Sequence, residues 1–183
     1  LMILGLFYQA VQKSVDSGGT AEIPVIIEKY KNMAVSGVFQ DAFADIPSAT
    51  VVQRKILKQL VDERLVGGNL VPRYLECLAE MFKGLDYVGN ASEEQLEKAY
   101  QDAFTNYFQS FMQQYGYVME NYLVNYVFKN LFPLGGEKRV FDNYLIMMLH
   151  YSLLKIHLLG ILRFHGQNLD ADHVIKLIQS FAK

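Results

Sequence analysis

Tryptophan is absent from this chain, cysteine occurs once, at Cys77, and only four prolines interrupt its 183 residues. A lone cysteine excludes an internal disulfide framework and any multi-cysteine metal or cluster site built from this chain alone. It fits a reduced, cytoplasmic setting, with Cys77 as a small core residue. Charge of either sign is also scarce. Seventeen basic and 19 acidic side chains leave a net charge of −2, without the basic clustering of a nucleic-acid surface. No G-x-G-x-x-G follows a strand pattern, and there is no Walker loop, H-E-x-x-H or G-x-S-x-G. Gly67-Gly68 and Gly135-Gly136 read as helix stops rather than phosphate cradles. Dinucleotide-binding, zinc-protease and α/β-hydrolase chemistry therefore have no foothold. The apolar opening, residues 1–15, lacks the basic flank and small-residue cleavage site of a signal peptide. Because it starts inside a helical pattern without an initiator methionine, a fragment of a longer protein is expected.

What the chain does have is apolar and aromatic surface: 51% hydrophobic residues, with 12 Phe and 12 Tyr. The apolar spacing is helical almost throughout. Helices are expected over 2–15 and 21–35, with Pro24 in the first turn of the second. A short piece over 38–45 follows Gly37, and Ser48 caps a helix over 49–66. The Gly67-Gly68-Asn69 stop precedes 70–85, where Pro72 sits in the first turn. Ser92-x-x-Gln95 is a capping box opening a long pattern, 93–131, bent around Gly116 and ended by Pro133 and Gly135-Gly136. Residues 139–164 are apolar nearly all round, as the buried centre of a fold would be. Asp170 caps a last helix, 171–182. No strand pair, repeat or linker shows. The expected fold is all-α: one domain, an irregular multi-helix bundle of about seven to eight helices with two long central ones. A nineteen-residue apolar run, 144–162, contains His150, Lys155 and His157, which a bilayer centre tolerates poorly, so no membrane span is expected.

One stretch, ENYLVNYVFKNLFP over 120–133, concentrates polar groups in a core-like helix. On a wheel of ~100° per residue, Leu123, Val124, Val127, Phe128 and Leu131 form an apolar arc. Asn121 and Asn125 lie at one edge, and Tyr122, Tyr126 and Lys129 on the opposite side. Glu120 falls inside the arc, where an unpaired carboxylate is costly. Two readings stand: a core helix with hydrogen-bonded edges, or the wall of a site. Lys155 is flanked on its own wheel by Tyr144, Met148, Tyr151, Ser152 and Leu159, so it snorkels or finds an anion. Glu120 is the expected partner, with Asp142 the alternative. His150 and His157 are seven apart, wider than the three or four of helical metal pairs, and read as a structural or partly exposed pair. The charged runs over 54–64 and 93–98 read as solvated helix faces with i,i+4 pairs.

ENYLVNYVFKNLFPLG followed by FDNYLIMMLHYSLLKIHLLG resembles the C-terminal half of the flagellin lysine-N-methylase family. The opening LMILGLFYQAVQKSVDSGGTAEIPVIIEKY is similar to the stretch that follows that family's cysteine-rich part. The resemblance implies a bacterial, cytoplasmic protein-lysine N-methyltransferase acting on flagellin with S-adenosylmethionine. It also implies an iron–sulfur centre held only in the cysteine-rich N-terminal part, which this chain lacks. Position by position, the family-like residues are Glu120, Asn121, Tyr122, Asn125, Tyr126, Asn130 and Pro133, then Tyr144, Tyr151 and Lys155. The resemblance makes these, Pro133 aside, candidates for facing substrate or cofactor, with no catalytic base assigned. The competing class is a non-enzymatic all-α ligand-sensing, dimerisation or docking module of a regulator.

Overall fold

The computed structural model describes residues 1–37, 50–68, 70–166, 169 and 171–181. The expected helix over 38–45, the Ser48 cap, Asn69 and the Asp170 cap lie outside the described residues. The elements are α1 (Met2–Asp16), a 3-10 turn (Thr20–Glu22), α2 (Ile23–Ser36), α3 (Thr50–Val66) and α4 (Pro72–Gly84). Then come α5 (Glu93–Asp102), a π-helical stretch (Ala103–Phe108), α6 (Gln109–Tyr115), α7 (Tyr117–Lys129), α8 (Val140–His165) and α9 (Ala171–Phe181). With α5, the π stretch and α6 counted as one continuous rod, the described residues hold eight helices and no strand, the all-α class the sequence led us to expect.

Local chemistry sets the helix ends. The Ser92–Gln95 capping box forms in full: the Ser92 hydroxyl accepts from the Gln95 amide, and the Gln95 side chain accepts from the Ser92 amide. Both orphan donors are thereby satisfied. Gly37 ends α2 at φ 70°, a left-handed turn that costs glycine nothing.

The chain divides into two compact units, residues 1–48 with 124–149 and residues 49–123 with 150–183. In the first, α1 and α2 pair as a hairpin, with Phe7 edge-on to Tyr30. Tyr144 packs over Gly5, where a Cβ would lie 2.6 Å from its hydroxyl oxygen. The loop over 130–139 is held from inside by buried Asn143, whose Nδ2 lies 3.0, 2.9 and 3.1 Å from the carbonyl oxygens of Pro133, Glu137 and Arg139. Its Oδ1 accepts from the Glu137 amide at 2.8 Å. A buried amide used this fully replaces the ladder that an irregular loop lacks.

The second unit holds the main core: Val61, Tyr74, Leu78, Met81, Leu85, Phe108, Phe111, Met119, Leu154, Leu158, Ile161, Leu177 and Phe181 among others. Leu154, Leu158, Leu159 and Ile161 are fully buried, each contributing roughly 1.5–3 kcal/mol. That is what the all-round apolar pattern of α8 is for. By length and composition alone α8 could cross a membrane, but a core helix passes the same test, and residues 154–162 except Lys155 lie inside this core. Arg163 fastens the unit's edge: it donates to the Gly84 carbonyl at 2.6 Å, to Asp86 at 3.1 Å and to Asp102 at 2.7 Å.

Candidate functional site

The face that α7 buries coincides only in part with the apolar arc: Leu123 and Val127 are half-buried, Leu123 against the core. Met119 and Tyr122 are inside, while Val124, Phe128 and Leu131 are 46%, 76% and 73% exposed. Glu120 is exposed, as are Asn121 and Asn125. The pairing expected between Glu120 and Lys155 is therefore corrected. Glu120 keeps its water, and no carboxylate among the described residues lies within ion-pair distance of Lys155. A wheel gives the internal phase of a helix but not which arc its neighbours cover, and here packing favours the arc carrying Met119 and Tyr122.

The nine candidate residues divide between the units. Asn125, Tyr126, Asn130 and Tyr144 belong to the first unit. There Tyr144 donates to the Leu1 carbonyl at 3.3 Å and stacks on Phe141, and the Asn130 side chain donates to the Tyr126 carbonyl at 2.8 Å, closing the end of α7. Tyr126 is half-buried, and burial raises its phenol above the usual range. Glu120, Asn121, Tyr122, Tyr151 and Lys155 belong to the second unit. Tyr122 meets Phe181 edge-to-face, and its hydroxyl lies 3.4 Å from His150 Nδ1.

Beneath them lies a closed polar pair. The His157 Nδ1 is 2.6 Å from the Leu153 carbonyl, and its Nε2 is 2.9 Å from the Tyr74 hydroxyl. A carbonyl only accepts, so Nδ1 carries the proton and Nε2 accepts from Tyr74. Burial holds the imidazole neutral, its pKa pushed down to about 4, and pushes the Tyr74 phenol up to about 12. His157 is thus a satisfied core histidine.

Lys155 has the most unusual setting. Tyr151 and Lys155 are one turn apart on α8, hence on one face. The Lys155 ammonium stands 5.0 Å from the ring centroid of Phe104 and 5.4 Å from that of Phe108, two rings stacked on each other at 5.8 Å. Both come from the π stretch, whose wider turn re-aims side chains and recurs at functional sites. Desolvation lowers the pKa of Lys155, with no opposing carboxylate, and raises that of Tyr151.

A second polar feature escaped the sequence reading. Arg54, expected on a solvated face, is 3% exposed and bonds Glu93 at 2.7 Å, with Glu97 at 3.6 Å. Its guanidinium holds the Glu93 carboxyl below the usual range. The expected i,i+4 pairing does occur at Lys58–Asp62. Arg54, Lys58, Asp62, Tyr87, Glu93 and Leu96 line a cleft of about 340 Å³, in which the Tyr87 hydroxyl is buried beside the Arg54 guanidinium. Partners 39 and 43 positions away leave no periodic signal, so nothing in the sequence marks this ion pair.

A family model described as FliB lysine N-methylase C-terminal domain matches residues 1–183, the whole chain. The chain belongs to that family. No curated protein and no solved structure matches it.

In this member of the FliB C-terminal family, Cys77 is buried beside Ser180, Sγ to Oγ 3.9 Å, with its thiol pKa raised by burial. Among the described residues no group of three or more His, Cys, Asp or Glu side chains is placed to hold a metal ion. With Cys77 as its single cysteine, this chain does not supply the thiolate set of an iron–sulfur cluster.

Proposed function

We propose that this chain is the helical C-terminal part of a bacterial, cytoplasmic protein-lysine N-methylase that modifies flagellin with S-adenosylmethionine as methyl donor. The observation that carries the reading is the family match over all 183 residues. When bound, a sulfonium donor supplies an electrophilic methyl group. The residues of this chain that fit such a donor line the Arg54 cleft. There the cations Arg54 and Lys58 would meet its carboxylate and the carboxylates Glu93 and Asp62 its ammonium, each exchanging an existing Arg54–Glu93 or Lys58–Asp62 pairing for the ligand.

Methyl transfer to lysine requires a neutral amine, and an amine loses its proton more readily out of water. The wall of Phe104, Phe108 and Tyr151 supplies that condition. Lys155 already experiences it, with its pKa lowered by burial and no carboxylate to hold its charge. A substrate lysine laid on the same wall would be neutralised for the same reason. The test is methyl incorporation into flagellin by the full-length enzyme, with and without residues 1–183, using labelled S-adenosylmethionine. Loss of incorporation on deleting this part, with restoration when it is supplied as a separate chain, is expected. Undiminished incorporation by the shortened enzyme would overturn the reading.

A further inference from the structure

We propose that Lys155 is itself a methylation site, an amine of this chain that accepts methyl groups from the same sulfonium donor. The inference rests on the methylase reading above. It is argued from what surrounds the amine.

A lysine ammonium carries three N–H donors, each of which needs an acceptor or water. Lys155 makes no hydrogen bond and no ion pair among the described residues, and its neighbours at the tip are the faces of Phe104 and Phe108. Ring faces attract a cation but accept no conventional hydrogen bond. An unmodified ammonium there has water but no protein acceptor among the described residues for its donors. Replacing N–H groups by methyls keeps the positive charge, removes the donors that lack protein acceptors, and brings C–H groups against the rings. Aromatic faces recognise methylated lysine in this manner. The half-buried side chain also keeps an exposed portion through which a donor can reach it.

The step balances without further reagents. The lone pair of neutral Nζ attacks the methyl carbon of the sulfonium, and an N–C bond forms as the C–S bond breaks. The electron pair stays on sulfur, giving a neutral thioether, and the nitrogen releases a proton to water. Removal from water prepares the neutral amine, and the two rings stabilise the methylated cation afterwards. The other lysines near rings differ in this respect: Lys58 is paired with Asp62, and Lys29 and Lys83 are exposed.

The experiment is peptide mass spectrometry of the full-length enzyme produced together with flagellin, and again after incubation of the purified enzyme with S-adenosylmethionine. One or more methyl groups on Lys155, at far higher occupancy than on exposed Lys55 or Lys138, is the expected result. Phe104→Leu and, separately, Phe108→Leu should each lower that occupancy roughly tenfold, about 1.4 kcal/mol of lost ring contact. Circular dichroism identifies any variant that has unfolded, so the other carries the test. Methylated flagellin beside unmodified Lys155 would overturn the inference and leave the methylase reading intact. Equal methylation of Lys155 and the exposed lysines would overturn it as unselective chemistry. Absence of methyl groups on both proteins would remove the inference together with the reading.

Discussion

Gly84 and Gly160 meet backbone to backbone: a Cβ built on Gly84 would lie 1.9 Å from the Gly160 carbonyl oxygen, and one on Gly160 would lie 2.6 Å from the Met81 carbonyl oxygen. In both cases the obstacle is main chain, which cannot swing aside as a side-chain tip can. In an open helix, glycine to alanine gains up to about 1 kcal/mol. Here the sign reverses. Gly84→Ala or Gly160→Ala should cost about 3 kcal/mol or more by forcing α4 and α8 apart. Urea unfolding checks it, through a lowered midpoint at unchanged slope. A midpoint equal to or above that of the parent chain would refute the crossing.

The Tyr74–His157 pair makes stability depend on acid. Unfolded, His157 takes up a proton near pH 6.5; folded, burial pushes this down to about 4. Between these values acid protonates the unfolded chain and not the folded one. Stability from this group is therefore complete above pH 6.5, falls as pH drops towards 4 at up to about 1.4 kcal/mol per pH unit, and levels off below. In His157→Gln, which does not titrate, unfolding midpoints across that window should decline less steeply, from a lower starting stability. Parallel slopes in the two chains would show that His157 is not held neutral.

How legible was this in the sequence? The helices were, because caps and stops are local: Ser92 with Gln95, Gly37 and the apolar run of α8 each act within a few residues. The spacing of His150 and His157 argued only against a helical metal pair and left the burial of His157 open. The failures share another cause. Which arc of α7 is covered, that Arg54 pairs with Glu93, and that Phe104 and Phe108 underlie Lys155 all depend on segments 28 to 59 residues apart. No wheel contains that information. The π stretch added a further difficulty, since its extra residue per turn shifts every face drawn with an α-helical period.

Asn143 should be intolerant of the smallest change available to it. Its Nδ2 sits among three carbonyl oxygens, so Asn143→Asp would aim a carboxylate oxygen at three acceptors. A cost of about 3 kcal/mol near neutral pH is expected, partly recovered in acid as the carboxyl protonates and again donates. Asn143→Ala should cost less, about 1–3 kcal/mol, with no pH recovery. Limited proteolysis between residues 130 and 139, compared with unfolding midpoints at neutral and acid pH, separates the two. Equal behaviour of the Asp and Ala variants would mean that Nδ2 is not the group holding the loop.

Lys155 should oppose stability and activity to each other. Folding removes its amine from water and offers it two rings but no counter-charge, so its pKa is lowered. The sign follows: the folded state binds this proton less tightly than the unfolded one, so at neutral pH the charged amine weighs against the fold. Stability lost to this group returns only as pH rises towards the ordinary lysine range. Lys155→Met has similar length, no charge and a thioether suited to ring contacts. It should stabilise the chain by about 0.5–2 kcal/mol near neutral pH, an advantage that shrinks in alkali. If the wall of α8 and the π stretch serves methyl transfer, the same variant should lower flagellin methylation by the full-length enzyme. A more stable and less active Lys155→Met marks a residue kept for function. A less stable variant would show instead that the ring contacts of the ammonium outweigh its lost hydration.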